Sequence, residues 1–581
     1  MGRCCSDLLG VVLIIGIDLG TTNSLVAVWK DGAPVLVPNA LGDTLTPSCV
    51  GFSDSGEMLV GQAAKDRLQT HPHLTVANFK RYMGSAREIE MGKRKFRPEE
   101  VSSFVLRSLK ADAEAFLGHP VEEAIISVPA YFSDAQRKAT RAAGELAGLR
   151  VERLINEPTA AALAYGVRDA GSERKFLVFD LGGGTFDVSI LEIFEGVMEV
   201  RASAGDNFLG GEDFVDVLVK DVLEHARIKA ETLMPPDRQR LRDAVERAKR
   251  KLSVEPTVEM SVRLQGKSVT YNINEDHFAT LCEPLLQRLR VPVERALRDA
   301  RIRASDLYEI VLAGGATRMP VVRKLVTRMF GRFPASSLNP DEVVAQGVAV
   351  QAGLKMEDSA LNEVVMTDVC PYTLGMNTSQ RTGPQGQAVA GFFLPIIDRN
   401  TIVPASRSKD VFTVSDNQEK LRIDVYQGEA RMVKDNIFLG TFTLDVAAGQ
   451  PAGRAGANVR FTYDVNGLLE VEAVAHGTDV KGSIVIENHA GVLTKEEIAE
   501  RLGALANLKL NPRDDARNSA IVARANRLYE ESLGSTRDAI SQAIMQFEAI
   551  LARQEPHEIA AAREAFGTWL DRVEQNPFID A

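Results

Sequence analysis

The sequence predicts a multidomain protein: a two-lobed α/β domain, then an antiparallel β domain, then a short helical tail. Three observations predict it. A strand, glycine turn, strand unit at residues 16–24, GIDLGTTNS, is echoed by FDLGGGTFDVS at residues 179–189. Period-two alternation replaces helical periodicity after about residue 362. Helical patterning returns near residue 494. With 581 residues the chain is also too long for one hydrophobic core.

Residues 1–13 read as an N-terminal extension. MGRCCS fits the loose myristoylation pattern, but that pattern is short and often matched by chance. The apolar run Leu8–Ile17 is shorter than the ~20 residues a membrane-spanning helix needs. From Leu13 to Ile17 an apolar strand runs up to Asp18. Leu19, Gly20, Thr21, Thr22, Asn23 and Ser24 then bring small polar groups to the strand end, and a second strand, Leu25–Trp29, leads to a turn at Asp31-Gly32. One lobe's length further on the order repeats: Asp180, Leu181, Gly182, Gly183, Gly184, Thr185, Asp187, then the strand Val188–Phe194. Two more apolar strands end in punctuation, Ile125–Val128 at Pro129 and Ile310–Ala313 at Gly314-Gly315. Helical spacing marks Arg137–Leu149 and Asp237–Leu252. Residues 14–362 are therefore expected to be two lobes whose glycine turns converge on the gap between them.

Residues 363–369, EVVMTDV, are mostly apolar where an exposed linker would be polar, so this linker is expected to dock. In the β domain, residues 370–490, Leu421–Val425 alternates. So does Val459–Val465, and Asn466-Gly467 then signals a type I′ hairpin before Leu469–Ala473 alternates back. The tail, residues 491–581, opens on a capping box at Thr494-Lys495-Glu496-Glu497. Pro512, Gly534 and Pro556 punctuate three or four helices ending near Val573.

A net charge of −11 argues against nucleic acid or an anionic membrane as the main partner. Five scattered cysteines with no CxxC argue against a zinc site or a disulfide framework and for reduced thiols in a cytoplasmic setting. The glycine turns suggest a specific chemistry. Backbone N–H groups approach an anion where no Cβ intervenes, and neighbouring hydroxyls donate to phosphate oxygens. A carboxylate beside them repels phosphate but can hold Mg²⁺ through water. Asp18 and Asp180 are candidates for the metal, the Gly and Thr groups for phosphates. One DLG turn alone is more often an ordinary tight turn; two matched units are harder to dismiss. No G-x-x-x-x-G-K-[ST] or G-x-G-x-x-G occurs, which excludes a P-loop and a dinucleotide fingerprint.

In order along the chain, GIDLGTTNS, VPAYFSDAQRKAT, INEPTAAALAYG, FDLGGGTFDVS, LGGEDF, ERAKRKLS, LAGGATRMP and NPDEVVAQGVAVQA resemble the motifs of the DnaK-type seventy-kilodalton heat-shock chaperones. VCPYTLG and AVWKDG are most similar to the specialised bacterial branch called HscC. The resemblance implies an actin-like ATPase domain, a β-sandwich that binds extended peptides, and a helical lid. It implies ATP/ADP with Mg²⁺ held by Asp18 and Asp180, and admits K⁺. Gly20, Thr21, Thr22 and Asn23 would meet phosphates, with Gly182, Gly183, Gly184, Thr185, Gly210 and Gly211 opposite. Lys80 would reach the γ-phosphate and orient the attacking water, with Glu157 and Asp187 completing the network. Glu246, Lys249, Arg250 and Ser253 share one helix face. The resemblance gives that face to ribose and adenine, with Gly314, Gly315, Arg318 and Asp341 across from it. Unaided, it reads as a salt-bridged surface, and Lys80 as a solvated lysine.

The same resemblance assigns interlobe coupling to Pro129 and Arg137 and linker docking to Val365, Met366 and Asp368. It lines a peptide groove with Met376, Thr378, Phe412, Leu421 and Ile423, any of which could as well be sandwich core. Partners implied are unfolded client peptides and a J-domain co-chaperone docking near Tyr131, Asp134, Arg153, Asn156, Thr159 and Asp368, on a monomer. Departures bear on this. Ala316 stands where the pattern has a hydroxyl, and the linker lacks the usual leucine run. Segment 254–276 lacks the long hairpin used by nucleotide-exchange factors, which puts dependence on one in question. The short lid predicts faster peptide exchange. A sugar-type kinase or an actin-like filament protein could share the phosphate turns, but neither needs the β domain and tail.

Overall fold

The computed structural model describes residues 13–166, 174–194, 197–335, 338–356, 361, 365–382, 387–464, 467–478, 480–486, 516–532, 534–554 and 556–575. The duplication read from the sequence is present as two sheets built to one plan. In the first lobe the strand Ile14–Asp18 pairs in parallel with Glu123–Val128 and antiparallel with Asn23–Lys30. In the second, Arg174–Leu181 pairs in parallel with Glu309–Ala313 and antiparallel with Phe186–Phe194. Each central strand thus ends in its aspartate turn at the C-terminal edge of a parallel pair, the usual ligand-binding edge of such sheets. Apolar side chains on both faces, among them Ile14 and Ile15 in the first lobe and Leu177 and Val178 in the second, are buried.

Helix boundaries shift slightly from the sequence reading. The first expected helix begins at Asp134, because Ser133 caps it and Gln136 bonds back to the Ser133 N–H at 3.0 Å. It ends at Leu146, where Gly148 turns the chain at φ 76°. The second spans Pro235–Lys251, with prolines supplying its first turn.

The linker forms the strand Val365–Val369. It pairs in parallel with Val197–Asp206 of the second lobe (Met198 opposite Met366) and antiparallel with Ile402–Val403 of the β domain (Asp368 opposite Val403). The second lobe's sheet is therefore six strands long, and its last strand belongs to another domain.

The β domain is two four-stranded antiparallel sheets packed over Leu374, Ile423, Val425, Val459, Phe461 and Val471. The expected hairpin closes at Tyr463 opposite Leu469. Asp464, whose carboxylate accepts the Leu468 N–H at 2.7 Å, holds a loop longer than the two residues of a type I′ turn. Asn466 lies outside the described residues. The helices Ala516–Glu531, Gly534–Arg553 and Pro556–Gln575 pack around Ile540, Phe547, Phe566 and Leu570. The capping box at residues 494–497 and the extension at 1–12 lie outside the described residues. No described helix is long and apolar enough to cross a membrane. Cys49, Cys282 and Cys370 are free and buried.

Candidate functional site

Between the lobes lies a cavity of 440 Å³, within the range that takes a small ligand. One wall is Asp18, Gly20, Thr21, Thr22 and Asn23, and the other is Asp180, Gly182, Gly183 and Thr185, with Lys80 and Glu157 between them. Further out it is lined by Gly211, Glu246, Lys249, Arg250 and Ser253, facing Gly314, Gly315, Arg318 and Asp341. Of the cleft residues named from the sequence, only Gly184, Gly210 and Asp187 are off this lining. A larger cavity, 620 Å³, lies between the second lobe, the β domain and Glu558 of the tail, and contains neither glycine turn.

The lining follows from local structure. Asp18 ends its strand and accepts a 2.8 Å hydrogen bond from Ser127 Oγ, at the end of the neighbouring parallel strand. Ser48 Oγ donates to the Gly20 carbonyl at 2.7 Å and bonds Ser24 Oγ at 2.9 Å, fixing the first turn. Glycine is required where the turns meet. A Cβ on Gly183 would lie 2.0 Å from Thr22 Oγ1, and one on Gly210 would lie 2.4 Å from the Gly184 nitrogen. The second turn leans on the N-terminus of the helix Gly211–Ala226 through the Gly211 N–H to Gly182 carbonyl bond of 2.9 Å.

Lys80 and Glu157 are both buried, with Nζ 2.7 Å from Oε1. The ammonium also lies 5.6 Å from the Phe132 ring. Asp187 stands opposite Asp180 across two strands and accepts the Tyr131 N–H at 3.1 Å. Glu246 bonds Lys249 and Arg250, each at 2.6 Å, while Lys249 donates to the Gly211 carbonyl at 3.0 Å. The helix face is thus salt-bridged and cavity-lining at once. Arg318 Nε meets Asp341 at 2.9 Å on the other side. Ala316 adds an apolar wall facing Gly211.

Crowding of acids sets the electrostatics. Burial, then repulsion from Glu157, pushes the Asp18 carboxyl up to about 6 against the pull of Lys80 and Ser127. The same two causes push Asp187 up to about 8, and Asp180 is raised well above the carboxylate range by burial and by all three neighbouring acids. Asp180 Oδ2 is buried without a hydrogen-bond partner. A divalent cation fits this arrangement, because it would relieve the repulsion and occupy the orphaned oxygen. No group of three or more protein ligands with metal-site geometry occurs among the described residues. Mg²⁺ can be held by few carboxylates together with phosphate and water.

A sign follows for stability. A carboxyl raised in the folded protein holds its proton longer than in the unfolded chain, so its contribution is full below about pH 4 and is lost as pH rises through its folded pKa. Nucleotide-free protein should therefore melt at progressively lower temperature between about pH 5 and about pH 8. Asp187→Asn, which cannot ionise, should flatten that slope in a thermal-denaturation series and be the more stable protein at the alkaline end. An unchanged slope would contradict the crowding account.

Sequence reasoning missed several groups here. Ser127 was within a recognised strand but had no role. Glu212 lines the cavity, and Arg81 crosses the cleft to Asp213 at 3.1 Å. No local pattern announces a contact between residues so far apart in sequence. Away from the cleft, Arg137 donates to the Asn156 side chain at 2.6 Å and to the carbonyls of Ala130 and Phe132, bracing the Pro129 loop. Asn156 donates in turn to Asp368 of the linker at 2.8 Å. The backbone of Val365 and Met366 lies in the linker strand. Of the expected groove residues, Met376, Leu421 and Ile423 are packed in the sandwich core, Thr378 is half-buried and Phe412 is half-exposed beside His476.

Comparison with known proteins supplies the context. Residues 14–576 match the family model described as Hsp70 protein. The chain is 44% identical over 486 residues to the chaperone protein DnaK of Thermotoga petrophila, covering 81% of this chain and 80% of the relative. The DnaK proteins of Thermotoga neapolitana and Thermotoga maritima match with the same identity and coverage.

Proposed function

The chain belongs to the Hsp70 family, and on that premise we propose that nucleotide between the two DLG turns decides whether the β domain holds or releases an extended apolar peptide. Like its family it is an ATPase and an ATP-dependent chaperone that uses nucleotide with Mg²⁺; DnaK-type chaperones bind unfolded client peptides and J-domain co-chaperones.

The observation that carries the proposal is the six-stranded sheet of the second lobe. Asp180 and Asp187 lie on its second and third strands, and the linker and a β-domain strand are its fifth and sixth. A change at the cleft therefore has a continuous hydrogen-bonded path to the peptide-binding domain, along which a two-state element could couple the two sites.

In this reading Asp18 and Asp180 hold the Mg²⁺ shell through water. Thr21, Thr22, Asn23, Thr185 and the glycine N–H groups donate to phosphate oxygens. When bound, the metal neutralises charge on those oxygens. Lys80 sets a fixed positive charge beside the transferring phosphoryl group, and Glu157 and Asp187 orient the attacking water through hydrogen bonds. Glu246, Lys249, Arg250 and Ser253 take the ribose and base against Gly314, Gly315, Arg318 and Asp341. Pro129, Arg137, Val365, Met366 and Asp368 couple cleft to linker. Peptide binds where Met376, Thr378, Phe412, Leu421 and Ile423 come together once the sandwich loops open. The same reading makes the protein a cytoplasmic monomer of the HscC branch, admits K⁺ in the cleft, and invokes no nucleotide-exchange factor.

The test is release of a fluorescent apolar peptide. ATP should speed dissociation over ADP by a factor within the roughly 5–150-fold range of ordinary coupling energies. Equal rates in the two nucleotides would sink the reading.

A further inference from the structure

We propose that Ser127 is a positioning residue for the divalent cation of the cleft: its hydroxyl fixes the Asp18 carboxylate in place before the ion arrives. The proposal rests on the reading of the cleft as a site for nucleotide with Mg²⁺.

Ser127 is the last but one residue of the strand Glu123–Val128, in which all six residues are buried. Its own exposure is 0%. Asp18 and Ser127 directly follow Ile17 and Ile126, which are partners in a parallel pair, so the two side chains stand side by side on one face of the sheet. On the other flank the residue opposite Ser127 is Ile155, apolar and buried. The hydroxyl therefore has one polar neighbour across the strands, and it donates to Asp18 Oδ1 at 2.8 Å. A hydroxyl sealed in such a strand is costly unless it is bonded, and a methyl group would fill the place without that cost. Packing alone does not account for a serine here.

The duplicated lobe supplies the comparison. In its corresponding parallel pair Asp180 stands opposite Ala313, which has no donor to offer. Asp180 Oδ2 is buried without a hydrogen-bond partner. The other three acids of the cleft each have one: Asp18 has Ser127, Glu157 has Lys80 at 2.7 Å, and Asp187 has the Tyr131 N–H at 3.1 Å. The first lobe thus carries a device that the second lacks. An aspartate's last torsion is broad when nothing holds it, and Mg²⁺ demands a near-ideal octahedral shell. A donor on one oxygen of Asp18 removes that freedom in advance and leaves the rest of the carboxylate to the cavity that it lines. Partners of this kind typically change metal affinity by about 10–100-fold.

The experiment compares the full-length parent with Ser127→Ala, Ser127→Thr and Asp18→Asn. Equilibrium binding of a fluorescent ADP is measured first in EDTA and then along a Mg²⁺ titration, and each protein is melted without either ligand. In Ser127→Ala the Mg²⁺ concentration that half-tightens ADP binding is expected to rise about 10-fold, with the affinity in EDTA unchanged. Ser127→Thr keeps the donor on a residue that strands accept readily, and should titrate with the parent. A parental Mg²⁺ midpoint in Ser127→Ala overturns the proposal. So does a loss of ADP affinity in EDTA that matches the loss in Mg²⁺, because that marks a disturbed cleft rather than a misplaced carboxylate. So does a Ser127→Thr protein that melts with the parent yet titrates like Ser127→Ala, because the hydroxyl is then not the cause. If ADP affinity in the parent ignores Mg²⁺, or Asp18→Asn keeps the parental midpoint, the reading of the cleft fails first; if only Ser127→Ala departs from expectation, only the role of Ser127 fails.

Discussion

Lys80→Ala is expected to hydrolyse ATP about 10²–10³-fold more slowly than the parent, the usual cost of removing a preorganised charge at a reacting oxygen, while still binding nucleotide. Lys80 is 2% exposed and sits in a single turn of 3₁₀ helix, Phe79–Tyr82, entered through Asn78 in the left-handed region at φ 59°. The turn aims the ammonium into the cleft between Glu157 and the Phe132 ring. A guanidinium would not fit there as a compact point charge, so Lys80→Arg should not restore the rate. Removing the lysine also strands a buried carboxylate, which by itself costs about 3–5 kcal/mol when it stays charged. Lys80→Met with Glu157→Gln removes the stability effect, because it keeps volume and leaves no unpaired charge, although it also changes Glu157 of the same network. This double variant should melt near the parent temperature and still fail to hydrolyse. A single-turnover rate at the parent level in either variant would contradict the assignment of Lys80.

The domain plan and the two DLG turns could be read from the sequence because each is written in consecutive residues. An apolar run ending at Asp18 or Asp180, followed by glycines and hydroxyls, describes its own turn. The pairing of Asp18 with Ser127 could not be read, since it depends on which strand lies beside which. The same holds for the Tyr131 N–H on Asp187 and the Arg81–Asp213 pair. The helix face of Glu246, Lys249, Arg250 and Ser253 is a different case. Its spacing fits a salt-bridged surface and a ligand wall equally, and the structure contains both features on the same residues. The groove residues are ambiguous for the corresponding reason in strands. Alternation marks Met376, Leu421 and Ile423 as inward-facing, and inward means core in the arrangement described here. The apolar linker announced that it docks, but not that it would have a partner strand on each side.

That double pairing makes the linker the most exposed point of the coupling, and Thr367→Pro tests it. Thr367 lies opposite Glu199 in an interior strand, where proline deletes a backbone donor and is rarely accommodated. The expected protein hydrolyses ATP, since every cleft residue is intact, but releases peptide at one rate in ATP and ADP. The loss is the whole coupling factor, in the range of about 5–150-fold. Asp368→Ala should do the same by unrelated chemistry. It removes the acceptor that Asn156 reaches at 2.8 Å and a carboxyl raised by burial yet stabilised by Arg137 and Arg153. A backbone lesion and a side-chain lesion share only the docked strand, so a common phenotype assigns the coupling to docking rather than to either contact. Peptide-dissociation kinetics in the two nucleotides provide the measurement. If either variant keeps full acceleration by ATP, the signal does not pass through this strand, and the six-stranded sheet is a structural join rather than the path of the switch.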